Sequence, residues 1–191
     1  MFQQPDGTLG VRVPASVRSA FDRECPAALR RVLGTLEGDP DRPTLTAPGG
    51  FGLATAGALP GRCRIEVELL LAPETRAAGL WLRGDPDGER GYYLRIEPSR
   101  GRLVFDRWPR IGDAPFAAEL ERPLSLAPGE PVRLAAYIDA SVCEVYTNER
   151  VALSCRLYDH PEGEWGIFVS DGSVTVRDRR LAEATPRRPV D

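Results

Sequence analysis

From Arg62 to Leu71 the chain alternates. Cys63, Ile65, Val67, Leu69 and Leu71 fall on one side, and Arg62, Arg64, Glu66 and Glu68 on the other. Successive side chains of an extended strand point to opposite faces, so this period of two describes a strand with one buried and one wet face and does not fit a helix. Further strand candidates follow at short intervals: Ala78 to Arg83, Tyr92 to Glu97, Arg102 to Arg107, Val132 to Ile138, Val142 to Thr147, Val151 to Tyr158, Trp165 to Ser170 and Val174 to Arg179. Turn-forming segments separate them, among them Asp85-Pro86-Asp87-Gly88, Pro98-Ser99-Arg100-Gly101, Ala127-Pro128-Gly129 and Asp171-Gly172. Many short strands without interleaved helices predict an antiparallel sandwich or barrel.

The first 50 residues read differently. Ala15 to Phe21 and Pro26 to Leu33 suit short helices, the second opening on a proline and closing on Gly34. Gly38 to Gly50 is rich in Pro, Gly and Asp and reads as loop. The expected organisation is a linker-like segment over 1–50 packed on the sandwich, a sandwich over 51–185, and an Arg/Pro-rich tail over 186–191.

Composition narrows the function classes. At 191 residues one large all-β domain suffices, and its core needs no disulfide or metal staple. The 28 acidic residues outnumber 25 basic ones, all arginine, with no clustered basic stripe, so a nucleic-acid partner is not expected. No apolar run approaches a membrane span, and Met1 to Gly7 has neither the basic nor the apolar region of a signal peptide. A complete chain of this kind would be cytoplasmic. Cys25, Cys63, Cys143 and Cys155 are too scattered for a paired-cysteine metal site. Cys143 and Cys155 flank an expected hairpin, where packed free thiols are the favoured reading and a cross-strand bridge the alternative. No metal or cofactor is expected.

Four segments carry a resemblance. Tyr137-Ile-Asp-Ala-Ser-Val-Cys-Glu-Val-Tyr-Thr-Asn148, followed by Arg150 to Tyr158, resembles the C-terminal hairpin of the family 32 glycoside hydrolases, the β-fructosidases. Trp165-Gly-Ile-Phe-Val-Ser-Asp-Gly-Ser-Val-Thr-Val176 is similar to that family's closing strands, and Gly91 to Arg107 to its hairpin ending in Asp-Arg. Asp6 to Arg12 is similar to the linker that joins the family's propeller to its sandwich. The resemblance implies a two-sheet antiparallel β-sandwich of the concanavalin A-like or jelly-roll type, behind a short helical or irregular N-terminal segment. It implies a non-catalytic C-terminal module that supports a catalytic propeller or subunit contacts in fructan or sucrose hydrolysis.

It transfers no catalytic residue. Retaining glycosidases use two carboxylates about 5.5 Å apart, and the family places them in a propeller that this length cannot hold beside a sandwich. Arg23-Glu24-Cys25-Pro26 and Arg83-Gly84-Asp85-Pro86 imitate two of the family's motifs, but the first falls before the sandwich and the second in a turn. His160 stands alone in a loop and reads as solvent-facing. Sugar contact is what remains for these residues. Trp108, Trp81, Tyr92 and Tyr93 are candidates to stack on a ring, and Arg95, Asp106 and Arg107 to bind hydroxyls, with Trp108 the one expected at the surface. Tyr92 and Tyr93 are neighbours on one strand and must face opposite ways. The candidate partners are a fructan-type glycan, a catalytic propeller or a second copy of the chain. The alternatives are a free-standing carbohydrate-binding, lectin-like domain and, after it, a hydrolase with an unrecognised site on the sandwich.

Overall fold

A computed structural model describes residues 1–107 and 120–185, with Arg107 described by its backbone alone. Strands β1 (Phe2–Gln3) and β2 (Leu9–Gly10) form a small hairpin ahead of the single-turn helix α1 (Ala15–Arg18). Then come β3 (Phe21–Cys25), β4 (Arg30–Leu33), β5 (Thr35–Glu37), β6 (Thr44–Ala58), β7 (Arg62–Leu71) and β8 (Ala77–Gly84). The chain continues through β9 (Tyr92–Glu97), β10 (Arg102–Arg107), β11 (Leu120–Pro123), β12 (Val132–Asp139), β13 (Val142–Thr147), β14 (Val151–Arg156) and the long β15 (Glu164–Ala184).

Strands β3 to β15 form one branched hydrogen-bonded sheet folded into two antiparallel layers. The first layer runs β11-β10-β9-β8-β15-β6-β4, using the start of β15. The second runs β14-β13-β12-β7-β15, using its end, which β6 and β3 flank on the far side. The crossing is made at Asp171-Gly172, where both residues have positive φ and the register with β6 shifts. β6 turns at the same level through Pro48-Gly49-Gly50, and the Gly49 amide donates to Asp171 Oδ1 at 2.8 Å. Between the layers lies the main core, including Ile65, Leu69, Leu80, Leu94, Ile138, Val145, Trp165 and Ile167.

Two expectations for the first 50 residues are corrected. The segment Pro26–Leu33 is not a helix: its second half is β4, which pairs with Thr55 to Leu53 of β6 and packs Val32 against the cluster of Leu53, Trp81, Tyr93 and Phe168. Gly34, with φ +74, turns β4 into β5 instead of capping a helix. Cross-strand pairing overrides a weak local helical preference here. The expected loop up to Gly50 ends earlier, since β6 begins at Thr44 and uses the Pro-Gly-Gly stretch as its bend. The Cys143 and Cys155 thiols are free, directly opposite one another in the β13–β14 register and buried.

Candidate carbohydrate-binding face

The register of β8, β9 and β10 assembles the candidate residues. Alternation sends Tyr92, Leu94 and Ile96 into the main core and Tyr93, Arg95 and Glu97 to the outer face of the first layer. Across β10, Asp106 lies opposite Tyr93, Val104 opposite Arg95, and Arg102 opposite Glu97. Trp81 of β8 lies opposite Tyr93 on the other side.

Arg95 bridges two carboxylates, to Glu97 at 2.6 Å and to Asp106 at 2.5 Å. Arg102 continues the row to Glu97 at 2.7 Å and on to Glu121 of β11. The side chains of Arg95, Asp106 and Arg102 are 16–20% exposed and that of Glu97 9%. The result is an ordered series of donors and acceptors at the protein boundary. Burial pushes the Glu97 carboxyl up, but the hydrogen bond from Arg102 and the positive charge of Arg95, Arg102 and Arg100 together hold it below the ordinary value. A carboxyl held ionised suits hydroxyl acceptance. It does not suit a glycosidase general acid, whose pKa must be raised.

Trp81, Tyr93, Leu53 and Phe168 form a second apolar cluster beside this row, with Phe51 and Val32 packed against it. Tyr93 meets Phe168 edge-on at 4.9 Å, and burial pushes its hydroxyl up to about 12. Trp81 is 0% and Tyr93 2% exposed, so protein surrounds both rings and they serve as the platform beneath the charged row. Tyr92, also at 0%, faces the core, stacks on Phe105 at 5.4 Å and accepts the Asp159 amide at 2.7 Å. The β9–β10 register thus brings Arg95 and Asp106 together. Trp108 and the Arg107 side chain lie outside the described residues. Sequence reading missed Glu97, Arg102 and Glu121, although the spacing Arg95-x-Glu97 opposite Arg102 already implied a cross-strand ion-pair ladder.

The two motif mimics are placed in ion pairs. Glu24 sits on β3, 3.7 Å from Arg64, and Asp85 pairs with Arg90 at 2.7 Å in its turn. His160 is corrected: its ring is half-buried and meets Tyr92 edge-on at 5.5 Å, because Arg83 draws the His160 carbonyl inward at 3.0 Å.

The model of the family described as "Glycosyl hydrolases family 32 C terminal" matches residues 39–183. No curated protein sequence matches the chain significantly. Among solved structures, the carbohydrate-binding module CBM66 from Bacillus subtilis superposes with a TM-score of 0.70 at 14% identity, covering 83% of this chain and 97% of that one. A fructosyltransferase from A. japonicus matches with a TM-score of 0.64 at 20% identity over 94% of this chain and 30% of its own. A beta-fructofuranosidase from Aspergillus kawachii, complexed with glycerol, matches with a TM-score of 0.62 at 16% identity over 95% and 32%. The chain therefore spans about a third of the length of these two Aspergillus proteins. At these identities the superpositions speak to the sandwich fold.

Proposed function

The chain belongs to the C-terminal family of the family 32 glycosyl hydrolases, and from that membership we propose that it is the non-catalytic companion of a propeller that hydrolyses fructan or sucrose. One observation carries this reading: the family match runs continuously over residues 39–183, which hold β6 to β14 and nearly all of β15. In this role the sandwich buttresses the catalytic domain or makes subunit contacts. The test is the chain alone with sucrose, inulin and levan. The expected result is no release of reducing sugar above the blank, and a turnover lost on substituting a carboxylate of the chain overturns the reading.

A second reading is favoured by a separate observation. The sandwich matches nearly the whole of a carbohydrate-binding module but only about a third of the fructosyltransferase and beta-fructofuranosidase chains. In that reading the chain holds a glycan on the outer face of β9 and β10, with Arg95, Glu97, Asp106 and Arg102 on its hydroxyls. Trp108, which follows the strand, is the proposed stacking residue, and Arg107 a further hydroxyl partner. Titration calorimetry with inulin and levan oligosaccharides tests it. Saturable heat that Trp108→Ala or Arg95→Ala weakens at least tenfold supports the binding role, and no heat with either wild-type titration removes it.

A further inference from the structure

The outer face of the second layer carries a cleft that neither reading uses. Three cross-strand rows build it from β15, β7, β12 and β13. The central row is Arg180, Glu66, Ala135 and Tyr146, ending on Ala152 of β14. Long side chains stand in the rows on either side, Arg133 and Glu68 in one and Tyr137 and Arg64 in the other. With alanine at its centre, the face is hollow there. The N-terminal segment arches over the hollow, tied by the Val11 amide to the Glu149 carbonyl at 2.8 Å and by Arg18 to Glu66 at 3.0 Å. The cleft is open to solvent and holds about 980 Å³, at the upper end of what ligand pockets occupy.

Its lining selects a ligand class. Tyr146 is half-buried between Ala135 and Ala152 in its row and packs against the cluster of Phe21, Tyr137 and Ala182, so its small row neighbours leave it at the cleft wall. Its hydroxyl donates to Glu144 Oε2 at 3.1 Å, and Tyr137 meets it edge-on at 6.0 Å, which hold the ring in place. Burial and the neighbouring Glu144 push that hydroxyl up to about 12, so it stays a neutral donor. Glu66 and Glu68 are each held between guanidinium groups, Arg18 and Arg64 for one, Arg133 and Arg177 for the other. Four arginine and four carboxylate side chains line the cleft beside the Met1 amino group, so the charge is nearly balanced and offers little to select an ion. An aromatic residue with paired, oriented donors and acceptors and nearly balanced charge matches a neutral, hydroxyl-rich ring.

We propose that this cleft is a binding site for a neutral oligosaccharide, separate from the β9–β10 face, with Tyr146 as the stacking residue and Glu66, Glu68 and Arg133 as hydroxyl partners. The experiment is an amide NMR titration of the full chain with inulin-type fructo-oligosaccharide and, in parallel, with anionic alginate oligosaccharide. Saturable shifts at Ala135, Tyr146 and Asn148 with the neutral probe are expected. Tyr146→Ala should weaken binding at least tenfold, and Ala135→Gln should do the same by filling the floor while keeping the ring. The cleft shifts and their titration midpoint should persist in Arg95→Ala, whose effect belongs to the β9–β10 face. No shift in the cleft, tighter binding of alginate, or unchanged affinity in both cleft variants overturns the proposal. Binding lost on Arg95→Ala but kept in the cleft variants overturns it as well, while leaving the companion-module reading intact.

Discussion

Arg83 is buried and holds a positive φ of 50°, a conformation that non-glycine residues seldom adopt. Its guanidinium donates to the carbonyls of Leu157 at 3.1 Å, His160 at 3.0 Å and Ala140. One side chain thereby satisfies three acceptors of two loops at the same end of the sandwich and offsets its own strained backbone. Arg83→Met leaves those acceptors unpaired and should lower stability by about 2–4 kcal/mol, measured as a fall in Tm and in the urea midpoint. Glu97 gives a pH-dependent counterpart. Its carboxyl sits below the ordinary value of 4.5, so its contribution is fully present above that value and is lost as pH falls through the lower native one. Glu97→Gln should therefore cost about 1.5–3 kcal/mol at neutral pH. The gap to wild type should close as urea titrations are repeated toward pH 3. A gap that stays constant with pH would show that packing, not charge, holds this residue.

At the scale of elements, β15 decides the architecture. The sequence reads as two strands separated by an Asp171-Gly172 turn; the structure runs one strand through that point and changes layers there. A Cβ added at Gly172 would lie 2.6 Å from Thr75 Cα, and its φ is +134. Gly172→Ala combines a backbone clash with a strained conformation and should cost about 2–3 kcal/mol, read as a lower denaturant midpoint at unchanged slope. Period-two segments such as Val132–Asp139 and Val142–Thr147 were legible because each alternates buried with less buried residues. The β3–β6 region was less so. Arg30 to Leu33 carries no alternation long enough to outweigh a proline-to-glycine helix frame, and its strand exists because β6 offers an open edge.

For the whole molecule, the sandwich was legible from alternation and turns. What needed three dimensions was depth. Trp81, Tyr92 and Tyr93 have the chemistry of a sugar platform, but the packing of β8 and β9 encloses them. The cleft over Ala135 was invisible for the opposite reason, since its concavity comes from a small residue flanked by long ones on neighbouring strands. The shared strand also has a consequence for biosynthesis. The strands β15 joins, β3, β6, β7 and β8, all precede it in the chain. On the ribosome they emerge first, and their apolar faces and unpaired edges must wait for residues 164–184 before either layer can close. Hairpins such as β9–β10 and β12–β13 can pair earlier, but joining the layers waits for partners distant in sequence, which makes that step slow and leaves the nascent chain exposed to aggregation until that strand arrives.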